Sequence, residues 1–197
     1  MNKTHILKEK IRKNFEFTPT PQQDELINDI SDFVCTLGNK SIFLLKGYAG
    51  TGKTSLISSL VKSLSSVYKR SSLLAPTGRA AKVLSVYSNK TAHTIHKKIY
   101  WIKTNSKGNT YVTLQENLSS NCIFIVDEAS MIPSHTDKNF GNRNLLSDLV
   151  KYIYSGTESS RRTPTEIMRI SARYDDIIGK YDKLDLIVEI EFQVKYH

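Results

Sequence analysis

A chain of 197 residues, 39% hydrophobic and 24% charged, is long enough to bury a sizeable core and has the composition of an ordinary globular protein. Two cysteines, Cys35 and Cys122, exclude a disulfide framework, and both lie beside apolar residues as buried thiols do. No window approaches the roughly 20 apolar residues that cross a bilayer, and the N-terminus lacks the apolar core of a signal peptide, so the expectation is a cytoplasmic protein without a membrane partner.

The formal net charge of +9 is unevenly spread: no acidic residue occurs between Asp32 and Glu116, where lysine and arginine recur throughout. A field of one sign concentrates polyanions, of which nucleic acid is the commonest, although a solvated basic face has the same composition.

In chain order, residues 1–16 are basic and weakly patterned and read as an arm. Thr20-Pro21 opens a helix with Leu26, Ile27, Ile30 and Phe33 at helical spacing, closed by Gly38. Ser41 to Leu45 is a short apolar strand running into a glycine-rich loop, and Thr54 to Val67 places Leu56, Leu60, Val61 and Leu64 on one helical face. Ser72 to Ala75 is a second strand, stopped by Pro76, and Gly78 to Tyr87 is helical. Thr104 to Asn121 suits a hairpin or loop excursion. Ile123 to Val126 is an unbroken apolar run, as in a strand covered on both faces. Arg143 to Tyr154 is a helix with Leu145, Leu146, Leu149, Val150 and Ile153 in register. Thr163-Pro164-Thr165-Glu166 has the form of a capping box with proline at the first helical position, and Ile167, Ile170, Tyr174, Ile177 and Ile178 would share the face of the helix that follows. Val188 to Tyr196 alternates as a half-buried strand. Strands alternating with helices predict an α/β domain with a mainly parallel sheet.

The segment Gly47-Tyr48-Ala49-Gly50-Thr51-Gly52-Lys53-Thr54 matches G-x-x-x-x-G-K-S/T, and Ser55 follows it. Glycines allow backbone angles that other residues avoid, so amides can close on phosphate oxygens. The lysine neutralises the β- and γ-phosphates, the threonine hydroxyl is a magnesium ligand, and the helix that starts here directs its positive end at the same charge. A flexible glycine-rich turn would share the composition but not the position between a strand and a helix.

Such a site needs acids at the end of a neighbouring strand. Asp127 and Glu128 follow Ile123–Val126 directly, the first suited to hold magnesium and the second to orient and deprotonate a water. Two solvated acids at a strand end are common, so the pair takes its meaning from the loop upstream. Together they predict ATP with magnesium as ligands and ATP hydrolysis as the chemistry, with Lys53 and Glu128 as the catalytic pair.

From about Phe17 to Gly156 the chain resembles the first motor domain of superfamily 1 DNA helicases of the RecD-like group. Phe17 to Gln23 is similar to the family's adenine-reading segment; Gln23 is the better match for the recognising glutamine, with Gln22 as its neighbour. Ala75-Pro76-Thr77-Gly78-Arg79-Ala80-Ala81 and Thr94-Ile95-His96 are similar to two motifs that touch single-stranded DNA, and Asp127-Glu128-Ala129-Ser130-Met131 is close to the acid motif. The resemblance implies a RecA-like P-loop fold and DNA contacts from Pro76, Thr77, Arg79, Lys82, Thr94 and His96. His93 and His96 taken alone read as surface or capping histidines. Tyr100 and Trp101, among Lys97, Lys98 and Lys103, read as core residues or as base-stacking rings.

After Gly156 the resemblance ends: the family's Gly-Asp-x-x-Gln motif and its second motor domain are not in this sequence. The organisation expected is therefore an arm (1–16), a motor domain (17–156) and a divergent helix–strand extension (157–197), as a truncated or rearranged helicase gene would give. One lobe is not expected to translocate or unwind by itself. A remnant that binds nucleotide or DNA without turnover is the second reading, and a different P-loop enzyme, such as a small kinase or a loader ATPase, the third, with Arg161-Arg162 as the basis for a kinase lid.

Overall fold

The computed structural model describes residues 2–36, 42–47, 50–104, 106, 108, 110–119, 121–133, 135, 136, 142–158, 166–170 and 187–190. In chain order the elements are α1 (Lys3–Asn14), α2 (Pro21–Thr36), β1 (Ile42–Leu45), α3 (Lys53–Ser63), β2 (Arg70–Ala75), α4 (Gly78–Ser88), β3 (Ala92–Thr94), α5 (Ile95–Ile99), β4 (Tyr100–Thr104), β5 (Thr110–Leu114), β6 (Cys122–Val126), α6 (Leu145–Glu158), β7 (Glu166–Ile170) and β8 (Ile187–Ile190). Six strands form one sheet in the order β3-β2-β6-β7-β1-β8, and every neighbouring pair is parallel. This is a RecA-like α/β architecture, as expected, with β4 and β5 set apart as an antiparallel hairpin.

Strand side chains alternate between two cores. Phe43, Leu45, Leu73, Ile123 and Ile125 pack with apolar residues of α1, α2, α3 and α4 on one face. Leu74, Phe124 and Val126 pack with α5 and α6 on the other. Ile123 to Val126 are all inaccessible to solvent, which explains why β6 is apolar without interruption.

Two expectations are corrected. The N-terminal segment is a helix rather than an arm: Asn2 caps it by accepting from Thr4 N, and Leu7 and Ile11 are fully buried against α2 and α3. Two apolar residues one turn apart make too narrow a seam to stand out in a sequence dominated by charge. The helix expected after Thr163 is replaced, in its described part, by β7, which lies between β1 and β6 with Ile42 opposite Ile167 and Phe124 opposite the same residue. Backbone pairing on both sides outweighs a local helical pattern. β8 falls at the start of the expected final strand and pairs with β1. Both strands therefore extend the sheet rather than dock elsewhere. Gln193, Arg161 and Arg162 lie outside the described residues.

α1 is bound to α2 by Arg12, whose Nε and Nη2 donate to the two carboxylate oxygens of Asp24 at 2.7 and 3.0 Å. It is bound to α3 by Asn14 Nδ2, donating to Ser63 Oγ at 2.9 Å, and by Ser59 Oγ, donating to the Asn14 carbonyl at 3.0 Å. The hydrogen bonds from Arg12 hold the Asp24 carboxyl below its usual value. A depressed acid stabilises the fold above its unfolded pKa and loses that contribution as pH falls through the folded one. Arg12→Ala is expected to cost about 0.5–1 kcal/mol at neutral pH, since both groups are partly solvated. The difference from wild type should shrink in urea titrations below about pH 4, where Asp24 protonates in the unfolded chain. A difference that grows on acidification would contradict the assignment.

Candidate nucleotide site

The parallel sheet brings the carboxyl ends of β1, β6 and β2 to one edge, where ligands bind in such folds. The loop leaves β1 and enters α3 through Gly50 and Gly52, with φ of 81° and 85°, a region costly for residues with a Cβ. At Gly52 the angle requires glycine, and a Cβ would lie 2.6 Å from Gln23 Nε2, so it would also push aside the end of that side chain. At Gly47 a Cβ would meet Thr51 Oγ1 at 3.0 Å. Tyr48 and Ala49 lie outside the described residues.

Gln23 is built into this loop. Thr20 and Gln23 form a capping box at the start of α2: Gln23 N donates to Thr20 Oγ1 at 3.3 Å, and Thr20 N donates to Gln23 Oε1 at 3.0 Å. Gln23 Nε2 then donates to the Thr51 carbonyl at 3.1 Å. The Thr-x-x-Gln spacing was available in the sequence as a signal for this arrangement. Gln22 is exposed, so of the two glutamines it is Gln23 that meets the loop.

Lys53 Nζ donates to the Gly47 carbonyl and thus folds back over the loop. Burial pushes its ammonium below the usual lysine value, while the negative charges of Asp127 and Glu128 work in the opposite direction. Asp127 responds inversely: burial raises its carboxyl, the hydrogen bond from Glu128 N lowers it, the Glu128 charge raises it, and Lys53 draws it down. The loop and the acids therefore share one electrostatic site. Asp127 N is fixed to the Leu74 carbonyl at 3.0 Å, and Asp127 Oδ1 accepts from Glu128 N at 3.0 Å. Glu128 is exposed and has a φ of 55°, a left-handed conformation worth about 1–2 kcal/mol of strain in a residue with a side chain. Thr54 and Ser55 begin α3, with Thr54 exposed on the open side. Among the described residues no group of three or more His, Cys, Asp or Glu could hold a metal. The oxygen donors offered are the Thr54 hydroxyl and the Asp127 carboxylate, which suits a hard cation held mainly by phosphates and water.

The second set of expected residues lies along the same edge. Pro76 ends β2, and Thr77 caps α4 by accepting from Ala80 N at 3.2 Å. Thr94 caps α5 by accepting from Lys97 N at 3.2 Å, and Thr94 stands opposite Ala75 in the sheet. Arg79 and Lys82 are exposed on α4. His96 is half-buried, its ring 5.9 Å from that of Tyr100. Tyr100 and Trp101 part company. Tyr100 is buried, its hydroxyl donating to the buried carboxylate of Asp148 at 2.9 Å. Trp101 is 58% exposed on β4. The hairpin register puts Trp101, Lys103 and Tyr111 on one face.

Among the described residues no helix is long and apolar enough to cross a membrane. A solved structure of the Phi-28 gp11 DNA packaging motor is similar at 12% identity and a TM-score of 0.30, over 68% of this chain and 47% of that one, so the chain spans about half its length. A family model described as AAA domain matches residues 32–143, more than half of the chain and inclusive of the phosphate loop and both acids. The chain belongs to that family, which is of P-loop NTPase type.

Two substitutions test the site's physics. Gly52→Ala should cost at least about 1–2 kcal/mol in urea unfolding, from the left-handed φ alone, and displace Gln23 as well. An unchanged midpoint would mean the loop takes another path. Asp127→Asn removes a carboxylate that burial penalises, and above the raised Asp127 pKa that penalty is present. Without nucleotide or magnesium, the variant's Tm at pH 8 should exceed wild type by a few degrees, with the gain fading as pH falls through the Asp127 titration. A lower Tm at pH 8 would show that the hydrogen bond from Glu128 N and the attraction of Lys53 together outweigh the burial penalty.

Proposed function

We propose that this AAA domain binds ATP with magnesium at the Gly47–Ser55 loop and hydrolyses it in response to single-stranded DNA, as the first motor lobe of a RecD-like helicase. The observation that carries the reading is the loop turned by the left-handed Gly50 and Gly52 at the end of β1, with Asp127 fixed at the end of β6 through the Leu74 carbonyl on the same sheet edge; Lys53 and Asp127 feel each other's charge there. Lys53, now on the Gly47 carbonyl, would turn to the β- and γ-phosphates. Thr54 and Asp127 would hold the magnesium ion, which neutralises charge on the phosphate oxygens. Glu128, exposed beside that charge, is placed to orient a water and take its proton. Gln23 retains donor capacity beyond its bond to Thr51 and would recognise adenine.

Support for DNA comes from the neighbouring edge. The Thr77 and Thr94 hydroxyls accept from helix N–H groups and keep their own hydrogens to donate to phosphodiester oxygens. Pro76 fixes the turn, and Arg79, Lys82 and His96 add donors and charge. Trp101 and Tyr111 offer faces for stacking, worth about 1–3 kcal/mol per base.

Steady-state ATPase with and without single-stranded DNA tests the proposal. DNA should raise turnover, and Lys53→Ala and Glu128→Gln should each reduce it at least about 100-fold, the lower end for loss of a general base. Glu128→Gln should still bind ATP. Magnesium-dependent ATP binding with no wild-type turnover above the variants would sink the enzyme reading in favour of a binding module.

A further inference from the structure

A second feature of the sheet lies away from the phosphate loop. At the start of β2 the surface opens into a cleft of about 380 Å³, roomy against the roughly 30 Å³ that one water occupies. Its donors are Arg70, Lys98, His93, Ser72, Thr91 and Ser119, and among the described residues no carboxylate lines it. Arg70 is exposed and Lys98 half-exposed, and neither makes an ion pair with a described carboxylate.

The walls are built rather than incidental. Asn117 is fully buried; its Nδ2 donates to the Ile153 carbonyl at 3.1 Å, and its Oδ1 accepts from Ser119 N at 3.0 Å. This ties the Leu118–Ser119 wall to α6. Arg70 N donates to the Asn121 carbonyl at 3.0 Å, fixing the origin of the guanidinium. Lys90 Nζ, from beyond α4, donates to Ser71 Oγ at 2.7 Å and adds positive charge behind the strand.

Location separates this cleft from the nucleotide site. Arg70 and Cys122 open β2 and β6, whereas Asp127 follows the last residue of β6, about 16 Å further along a five-residue strand. Cys122 belongs to the core on the α5 and α6 face, opposite the face that carries α3.

We propose that this cleft is a second oxyanion site that takes a phosphate group. An arginine fork matches two phosphate oxygens, a lysine adds a point charge, and hydroxyls complete the shell as donors. The phosphate belongs either to a small phosphorylated molecule or to a nucleic-acid strand. The site stands whether or not the phosphate loop turns over ATP.

The test uses the full chain carrying Lys53→Ala, which weakens the phosphate loop, titrated calorimetrically with pyrophosphate. Binding is expected, and Arg70→Ser with Lys98→Ser should weaken it at least tenfold while the thermal melt is retained. A parallel anisotropy titration with oligothymidine distinguishes the source. If the strand supplies the phosphate, the double variant lowers the salt slope by roughly 0.7 per lost contact. If a small molecule supplies it, pyrophosphate binding falls and the oligonucleotide slope holds. Should the double variant fail to fold, Lys98→Glu must weaken whichever ligand binds and Lys98→Arg must preserve it. No binding of pyrophosphate together with an unchanged oligonucleotide slope, or binding indifferent to Lys98→Glu, overturns the proposal.

Discussion

The left-handed turn at Gly52 is the constraint on which the rest of the site depends. It lets the loop that follows β1 turn directly into α3, whose first amides have no partner within the helix and no side-chain cap. The same glycine leaves room for the Gln23 side chain, which occupies the space a Cβ would fill and holds the Thr51 carbonyl. Gln23 in turn is set by the capping box of α2, and α2 is braced by Arg12 of α1. A helix at the far N-terminus thus belongs to the support of a loop some forty residues later in the chain. The order of support runs from charge pairs at the surface, through a helix cap, to a backbone turn.

The polar groups of the site oppose the stability of the fold that carries them. Burial disfavours charge on both Lys53 and Asp127, and their mutual attraction recovers only part of that cost. Glu128 adds a strained backbone angle two bonds from the same place. Such concentration of unfavourable local terms is characteristic of sites whose energy is recovered on ligand binding.

What could be read from the sequence, and what could not, follows from the range of the interactions. The loop, α2, α3, α6 and β6 carry their instructions in a few adjacent residues or in a simple period, and they fold as read. Asp127 and Glu128 were legible because a strand end and an acid pair are neighbours in sequence as well as in space. β7 was not, because Thr163-Pro164-Thr165-Glu166 speaks locally for a helix while the places on either side of the strand belong to β1 and β6. The Tyr100–Trp101 pair divides for the same reason: in a strand, adjacent side chains face opposite ways. The basic cleft drew Arg70, His93, Lys98 and Ser119 from four separate segments, and no linear pattern joins them.

The division of that pair has an optical consequence. Trp101 is the sole tryptophan of the chain and is largely exposed on a two-stranded hairpin outside the main sheet, while the ten tyrosines include Tyr100, Tyr152 and Tyr154, which are buried. Indole emission from the native protein should therefore already be red-shifted and should barely move when the core melts. What it will register is the local environment of β4, so that quenching or a blue shift on adding a ligand reports the hairpin being covered. The global transition has to be followed through the tyrosines or the backbone.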